Sequence, residues 1–174
     1  MEPFIAALLV HAVIGGIDVV LNHELIAKIP SLPNAGPEQI LHSARELVFG
    51  ALFLALAWFE WHGTTALAIA ALLLAELFIS TVDTVIEVDT RVLPVTERVL
   101  HVALFVNMGV VLVLVGQALL AWWPLPAQVL RADHGMAAWV LSALALAALA
   151  WSVRDGLNAL KRKRPPARMA PAAG

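Results

Sequence analysis

The chain has 174 residues, of which 61% are hydrophobic and 14% charged, with a net charge of −2. Soluble domains are about 45–50% apolar and about 25% charged, so this composition excludes a soluble monomer, and its high hydrophobicity equally excludes a disordered chain. The absence of cysteine removes disulfides, thiolate catalysis, iron–sulfur clusters and cysteine-bound zinc, and the lack of a basic face outside the tail removes nucleic acid as a partner.

Five stretches reach the roughly 20 apolar residues that a spanning helix needs: Phe4 to Leu21, Ile40 to Phe59, Thr64 to Glu87, Arg98 to Trp122 and Met136 to Val153. The first has no basic leader, carries Asp18 and lacks a small-residue cleavage site, so it reads as a retained helix rather than a signal peptide. Between the first two stretches, Leu25, Ile26 and Ile29 are expected to lie in the membrane interface as a lid, with Pro30, Pro33 and Pro37 stopping any helix. Residues 1–153 form one transmembrane helical domain in this reading. Residues 154–174, rich in Lys, Arg, Pro and Ala, form a disordered basic tail that touches anionic lipid.

Orientation follows from the Lys and Arg distribution. With the C-terminus cytoplasmic, Lys28, Arg45, Arg91, Arg98, Arg154, Lys161, Arg162, Lys163, Arg164 and Arg168 fall inside and Arg131 alone outside. Trp58, Trp61, Trp122, Trp123 and Trp139 then mark the outer interface and Trp151 the inner one. The expected protein is all-α and multi-pass, with its N-terminus outside, placed in a bacterial inner membrane. Four helices form a bundle around a polar core. The fifth, which has no ionisable residue between Trp139 and Trp151, packs peripherally.

Ionisable residues in the bilayer are costly, at about 2.5–3.5 kcal/mol each at a helix centre for Asp, Lys or Arg, so each one is a functional candidate. The first and third helices carry Asp18 with Asn22 and Asp83 with Glu87 near their inner ends; the second and fourth carry His42 with Glu46 and Glu97 with His101 near their inner starts. Every pair is spaced i, i+4 and so shares a helix face. The arrangement around residues 18–46 returns around 83–101 with the His and Glu order reversed, which would set two half-sites about a two-fold axis along the membrane normal.

Two carboxylate-bearing helices and two His/Glu-bearing helices supply the ligand types of a dinuclear carboxylate site. In residue types and their distribution over helices this resembles the ferritin-like proteins, including their membrane-associated oxidases; it departs from them in spacing, since that class carries Glu and His at i, i+3. The chemistry implied is a divalent metal centre, two iron ions first, with manganese or zinc also matching oxygen and imidazole donors. The expected ligands are His42, Glu46, Asp83, Glu87, Glu97 and His101, with Asp18 and His23 as further ligands or orienting partners. A deeper layer of His11, Glu76 and Asn107 would move protons or position substrate. His11 and Glu76 lie seven residues, about 10 Å, from Asp18 and Asp83. Ser80 completes a polar stripe on the third helix.

The expected activity is a membrane oxidoreductase acting on a lipid-like hydrophobic molecule, with a redox partner. Other readings fit the same residues. The acids and His could transfer protons without metal, in a lipid isomerase or a proton-coupled transporter; His42 and Glu46 resemble a pair in the sterol-isomerase group of small five-helix membrane enzymes. A haem b protein would use His42 and His101 as axial ligands. A non-catalytic subunit or anchor would leave the buried acids without a purpose. Structurally, Arg45 and Arg91 could neutralise carboxylates, Asn107, Gln117 and Ser80 could bond between helices, and Gly15 and Gly16 could permit close helix packing. Glu60, His62, Asp133 and His134 are expected as solvated loop residues.

Overall fold

The computed structural model describes residues 1–32 and 35–163. Helix α1, Pro3–Asp18, opens with a proline in its first turn, where the missing amide proton costs nothing. It continues as a π-helical segment, Val19–Ile26. A short 3₁₀ turn, Ile29–Ser31, leads toward α2, Gly36–Trp58. Then come α3, Ala66–Thr90, α4, Val95–Trp122, and α5, Met136–Lys163. Among the described residues, five helical stretches, the shortest of 23 residues, are long and apolar enough to cross a membrane. At 1.5 Å per residue the shortest spans about 35 Å, which exceeds a hydrocarbon core of about 30 Å.

Several boundaries move outward from the sequence reading. Pro37 does not end a helix; it sits in the first turn of α2, so Glu38 and Gln39 become helical and fully buried. The expected interfacial lid is therefore divided. Its first half prolongs α1, leaving Leu25 and Ile26 exposed, while Ile29 is buried and Pro33 lies outside the described residues. Helix α5 continues past Val153 to Lys163, so Arg154 to Lys163 belong to a helix rather than to a tail. The rest of the basic tail, 164–174, lies outside the described residues.

Helix α2 is the hub: it packs most extensively on α5 and next on α3, while α1 packs on α4. The sequence reading made α5 peripheral; instead it is the main partner of α2, because small residues let the two backbones approach closely. A Cβ added at Gly50 would lie 2.7 Å from the Leu149 side chain and 3.3 Å from the Ala145 carbonyl. Reciprocal hydroxyl bonds tie the pair further along, Ser43 Oγ donating to the Ser152 carbonyl (2.8 Å) and Ser152 Oγ to the Ser43 carbonyl (2.7 Å). The apolar core, including Ile5, Leu8, Leu52, Leu56, Ile69 and Val111, occupies the half of the molecule nearer the loops 59–65 and 123–135. The outer surface carries Leu74, Phe78, Val102, Val106 and Leu146, each more than 60% exposed, as lipid-facing helices should.

A two-stranded antiparallel sheet closes that end, with β1, Phe59–His62, pairing β2, Gln128–Arg131, so that Phe59 faces Arg131 and His62 faces Gln128. Four-residue strands give no readable alternation in the sequence. Gly63, at φ +56°, turns the chain out of β1, and a Cβ there would meet the Leu125 carbonyl at 2.7 Å. His62 is consequently buried rather than solvated, bonded to Glu60 (2.8 Å) and tilted against Trp122. Trp58 donates to Ser142 Oγ (2.8 Å) and packs edge-on against Trp139.

Candidate metal centre

Polar side chains of four helices converge at the opposite end of the molecule. On α3, Glu76, Ser80, Asp83 and Glu87 recur at steps of four, three and four, which keeps them on one face, and all four are buried. On α2, Glu38 and His42 share a face, with Arg45 one turn further on. Helix α4 contributes Glu97 and His101 from its first two turns.

The contribution of α1 depends on its π-helical segment. In a regular α-helix, at about 100° per residue, Asp18 and His23 would point about 140° apart. The wider turn, marked by Ala27 N bonding to the Asn22 carbonyl at 2.7 Å, brings both inward. Asn22 Nδ2 donates to Asp18 Oδ1 (2.7 Å), and Thr96 Oγ1 donates to Asn22 Oδ1 (2.6 Å), which locks the segment to α4. Asp18, Asn22 and His23 are all buried.

Two sets of potential metal donors result. His23, Glu87, Glu97 and His101 each offer one atom within 4.8 Å of the others, and so do Glu38, His42 and Glu87. Glu87 belongs to both sets. Its Oε1 is 3.3 Å from His42 Nε2 and its Oε2 is 3.5 Å from His101 Nδ1. His23 Nε2 stands 3.2 Å from Glu97 Oε1 and His101 Nε2 stands 3.2 Å from Asp18 Oδ2, yet both nitrogens are covered and lack an aligned hydrogen bond among the described residues. The rings of His23 and His42 stack at 4.5 Å, 7° from parallel.

Two guanidiniums flank the sets. Arg91, in the turn between α3 and α4, donates to Glu38 Oε1 (2.7 Å) and to both oxygens of Glu97 (2.7 and 2.5 Å). Burial opposes its charge, but these bonds outweigh that cost and hold its pKa above the ordinary arginine value. Arg45 donates to Asp83 Oδ2 (2.8 Å) and lies 3.5 Å from Glu76 Oε1.

Of the residues singled out in the sequence, His42, Glu87, Glu97, His101 and His23 thus stand in the donor sets. Asp18 lies behind His101, on the ring nitrogen opposite Glu87, whereas Asp83 lies 3.3 Å from His42 Nε2, the nitrogen that also faces Glu38 and Glu87. Glu46 stands apart. It projects toward α5, with Asp155, His42, Arg154 and Arg45 as its titratable neighbours, and its Oε2 is covered without a hydrogen-bond partner among the described residues. The reason is angular: four residues on from His42, and one on from Arg45, it has turned toward the side of α2 that carries Ser43 and Gly50. Sequence reasoning passed over Glu38, which its placement before the helix start concealed, although its i, i+4 spacing to His42 was the available signal. It also missed the Arg154 guanidinium, which bonds Glu24 and Asp155 across α1 and α5.

The deeper layer is joined to this cluster. Asn107 Nδ2 donates to the Ala7 carbonyl (3.0 Å) and reaches His11 Nδ1 (3.2 Å), and Ser80 Oγ donates to Glu76 Oε1 (2.6 Å). A cavity of about 20 Å³, room for about one water, touches His11, Arg45, Glu76 and His101. A larger cavity of about 210 Å³ runs from Asp18, His23 and His42 along α1 and α5 to His11 and Phe53.

No known protein family, curated protein or solved structure matches this chain.

Proposed function

We propose that the protein is an integral membrane oxidoreductase with a dinuclear carboxylate and histidine centre, iron being the first candidate and manganese or zinc the others, acting on a lipid-like molecule. The observation that carries this reading is Glu87, whose two oxygens are directed to two different histidines at the junction of two donor sets. Charge supports it as well. Six buried carboxylates, Asp18, Glu38, Glu76, Asp83, Glu87 and Glu97, gather at this end, and all but Asp18 pair with the guanidiniums of Arg45 or Arg91. If all six ionise, the four unmatched charges equal those of two divalent ions beside neutral imidazoles.

In this reading one position is held by His23, Glu97 and His101 and the other by Glu38 and His42, with Glu87 between them. Bound iron would supply one-electron redox chemistry, drawing electrons from a redox partner. Asp18 orients His101 through the ring nitrogen opposite the one that faces Glu87, as carboxylates behind metal-binding histidines generally do, and Asp83, which shares His42 Nε2 with Glu38 and Glu87, would be a further ligand there. His11 and Glu76 carry protons between the cluster and the deeper cavity or position the substrate, with Asn107 holding the His11 ring. The larger cavity admits substrate from the bilayer. The site faces the cytoplasm and the N-terminus lies outside, because Lys28, Arg91, Arg98, Arg154 and Lys161 flank the cluster end while Arg131 lies at the other.

A second reading, proton transfer without metal in a lipid isomerase or a proton-coupled transporter, is favoured by one observation: Arg91 and Arg45 already satisfy Glu38, Glu97 and Asp83. Elemental analysis of the purified chain separates the two. Roughly two iron or manganese ions per chain, lost in His42→Ala and His101→Ala, are expected; metal-free protein with full activity overturns the metal reading, and a Soret band would assign the histidines to haem instead.

A further inference from the structure

The 210 Å³ cavity has a polar end and a sideways opening. Gly16 on α1, Val20 on the π-helical segment that prolongs it and Ala147 on α5 line it and are exposed, so it opens between these two helices toward the lipid. Small residues keep that gap low: a Cβ at Gly16 would meet nothing within 4 Å. For scale, a dry cavity of about 150 Å³ accepts a benzene ring, so this volume takes one substituted ring. The walls, including Phe49, Phe53, Leu104 and Leu144, are apolar.

At the inner end the cavity meets His23, His42, Arg45 and Glu46. Arg45 is committed to Asp83, and the histidines approach Asp18, Asp83, Glu87 and Glu97. Glu46 lines this space and accepts no hydrogen bond from the described residues; its Oε2 is covered, which leaves Oε1 as the oxygen that a group in the cavity reaches. A carboxylate set against apolar walls with no donor from the protein costs free energy that a ligand donor at Oε1 would recover. A carboxylate-headed lipid would meet repulsion there from Glu46 and Asp18, whereas a neutral hydroxyl would supply the missing donor.

We propose that this cavity binds the head of a hydroxyl-bearing single-ring amphiphile, of the phenol or quinol class, whose hydroxyl donates to Glu46 and whose alkyl tail leaves between α1 and α5. The assignment names the substrate class of the metal reading above and rests on that reading only for what is done to the ligand, not for its binding. The ring would lie beside the stacked His23 and His42, one from each donor set of the candidate centre.

The test is equilibrium binding of 4-nonylphenol, with nonylbenzene as a control lacking the hydroxyl, to the full chain in nanodiscs. Calorimetry gives the affinities, and metal content is measured on the same samples. Wild-type protein should prefer the phenol at least about tenfold, as a hydrogen bond to a carboxylate requires. Glu46→Leu should reduce that ratio to near one, and Gly16→Leu and Ala147→Trp should weaken both ligands by closing the opening. None of the three should change the metal content. Equal affinity for both ligands in the wild type, or an undiminished ratio in Glu46→Leu with the folded protein verified by its helical circular dichroism, overturns the proposal. A chain that discriminates between the ligands while carrying no metal upholds the binding site and refutes the metal reading alone.

Discussion

Arg91 is the residue on which the cluster end of the molecule closes. It sits in the turn between α3 and α4, outside both helices, yet its guanidinium bonds carboxylates from α2 and α4 and approaches Glu87 of α3 at 3.8 Å. Removing one partner of a buried pair leaves the other charges uncompensated, at about 3–5 kcal/mol; with its side chain 10% exposed, Arg91→Ala should cost about 3 kcal/mol in chemical unfolding of the detergent-solubilised protein. The pH dependence has a definite sign. The folded-state pKa is raised above the ordinary arginine value, so the contribution is complete at every pH below that value. The loss measured at pH 7 should therefore persist at pH 9, and its disappearance at pH 9 would show that Arg91 is not the clamp.

At the scale of elements, α1 and α2 reach the cluster through features that periodicity alone does not reveal. The i, i+4 pairs Asp83 with Glu87 and Glu97 with His101 were legible because each lies on a continuous α-helical face. His23 was legible as a residue but not as a neighbour of Asp18, since five residues of ordinary helix would separate them and only the π-helical turn reunites them. Glu38 was hidden by Pro37, which reads equally as the end of one element or the first turn of the next. Glu46 was misjudged in the other direction: its pairing with His42 was real in sequence, but α2 is buried on two sides and Glu46 faces α5. That contact between α2 and α5 is tight enough to test. Gly50→Val should destabilise the protein by about 1–3 kcal/mol through overpacking against Leu149 and Ala145, read as a lower thermal midpoint, whereas an unchanged midpoint would mean that the helices are not in close contact there.

Across the whole molecule, the two ends differ in kind. One is closed by a two-stranded sheet, tryptophans and an apolar core; the other gathers buried acids, imidazoles and two arginines. Composition announced the apolar shell, and the scarcity of charge made each buried acid conspicuous, so the five membrane-length helices and most of the cluster were readable in advance. Which acids face each other was not, because that depends on how helices rotate and pack. Glu87 is the proposed link between two metal positions. Anomalous diffraction at the iron edge from crystals of the iron-loaded protein tests it most directly: two peaks about 3.5–4 Å apart should flank the Glu87 carboxylate, one beside His42 and the other beside His23 and His101. No peak, or a single peak away from Glu87, would contradict it.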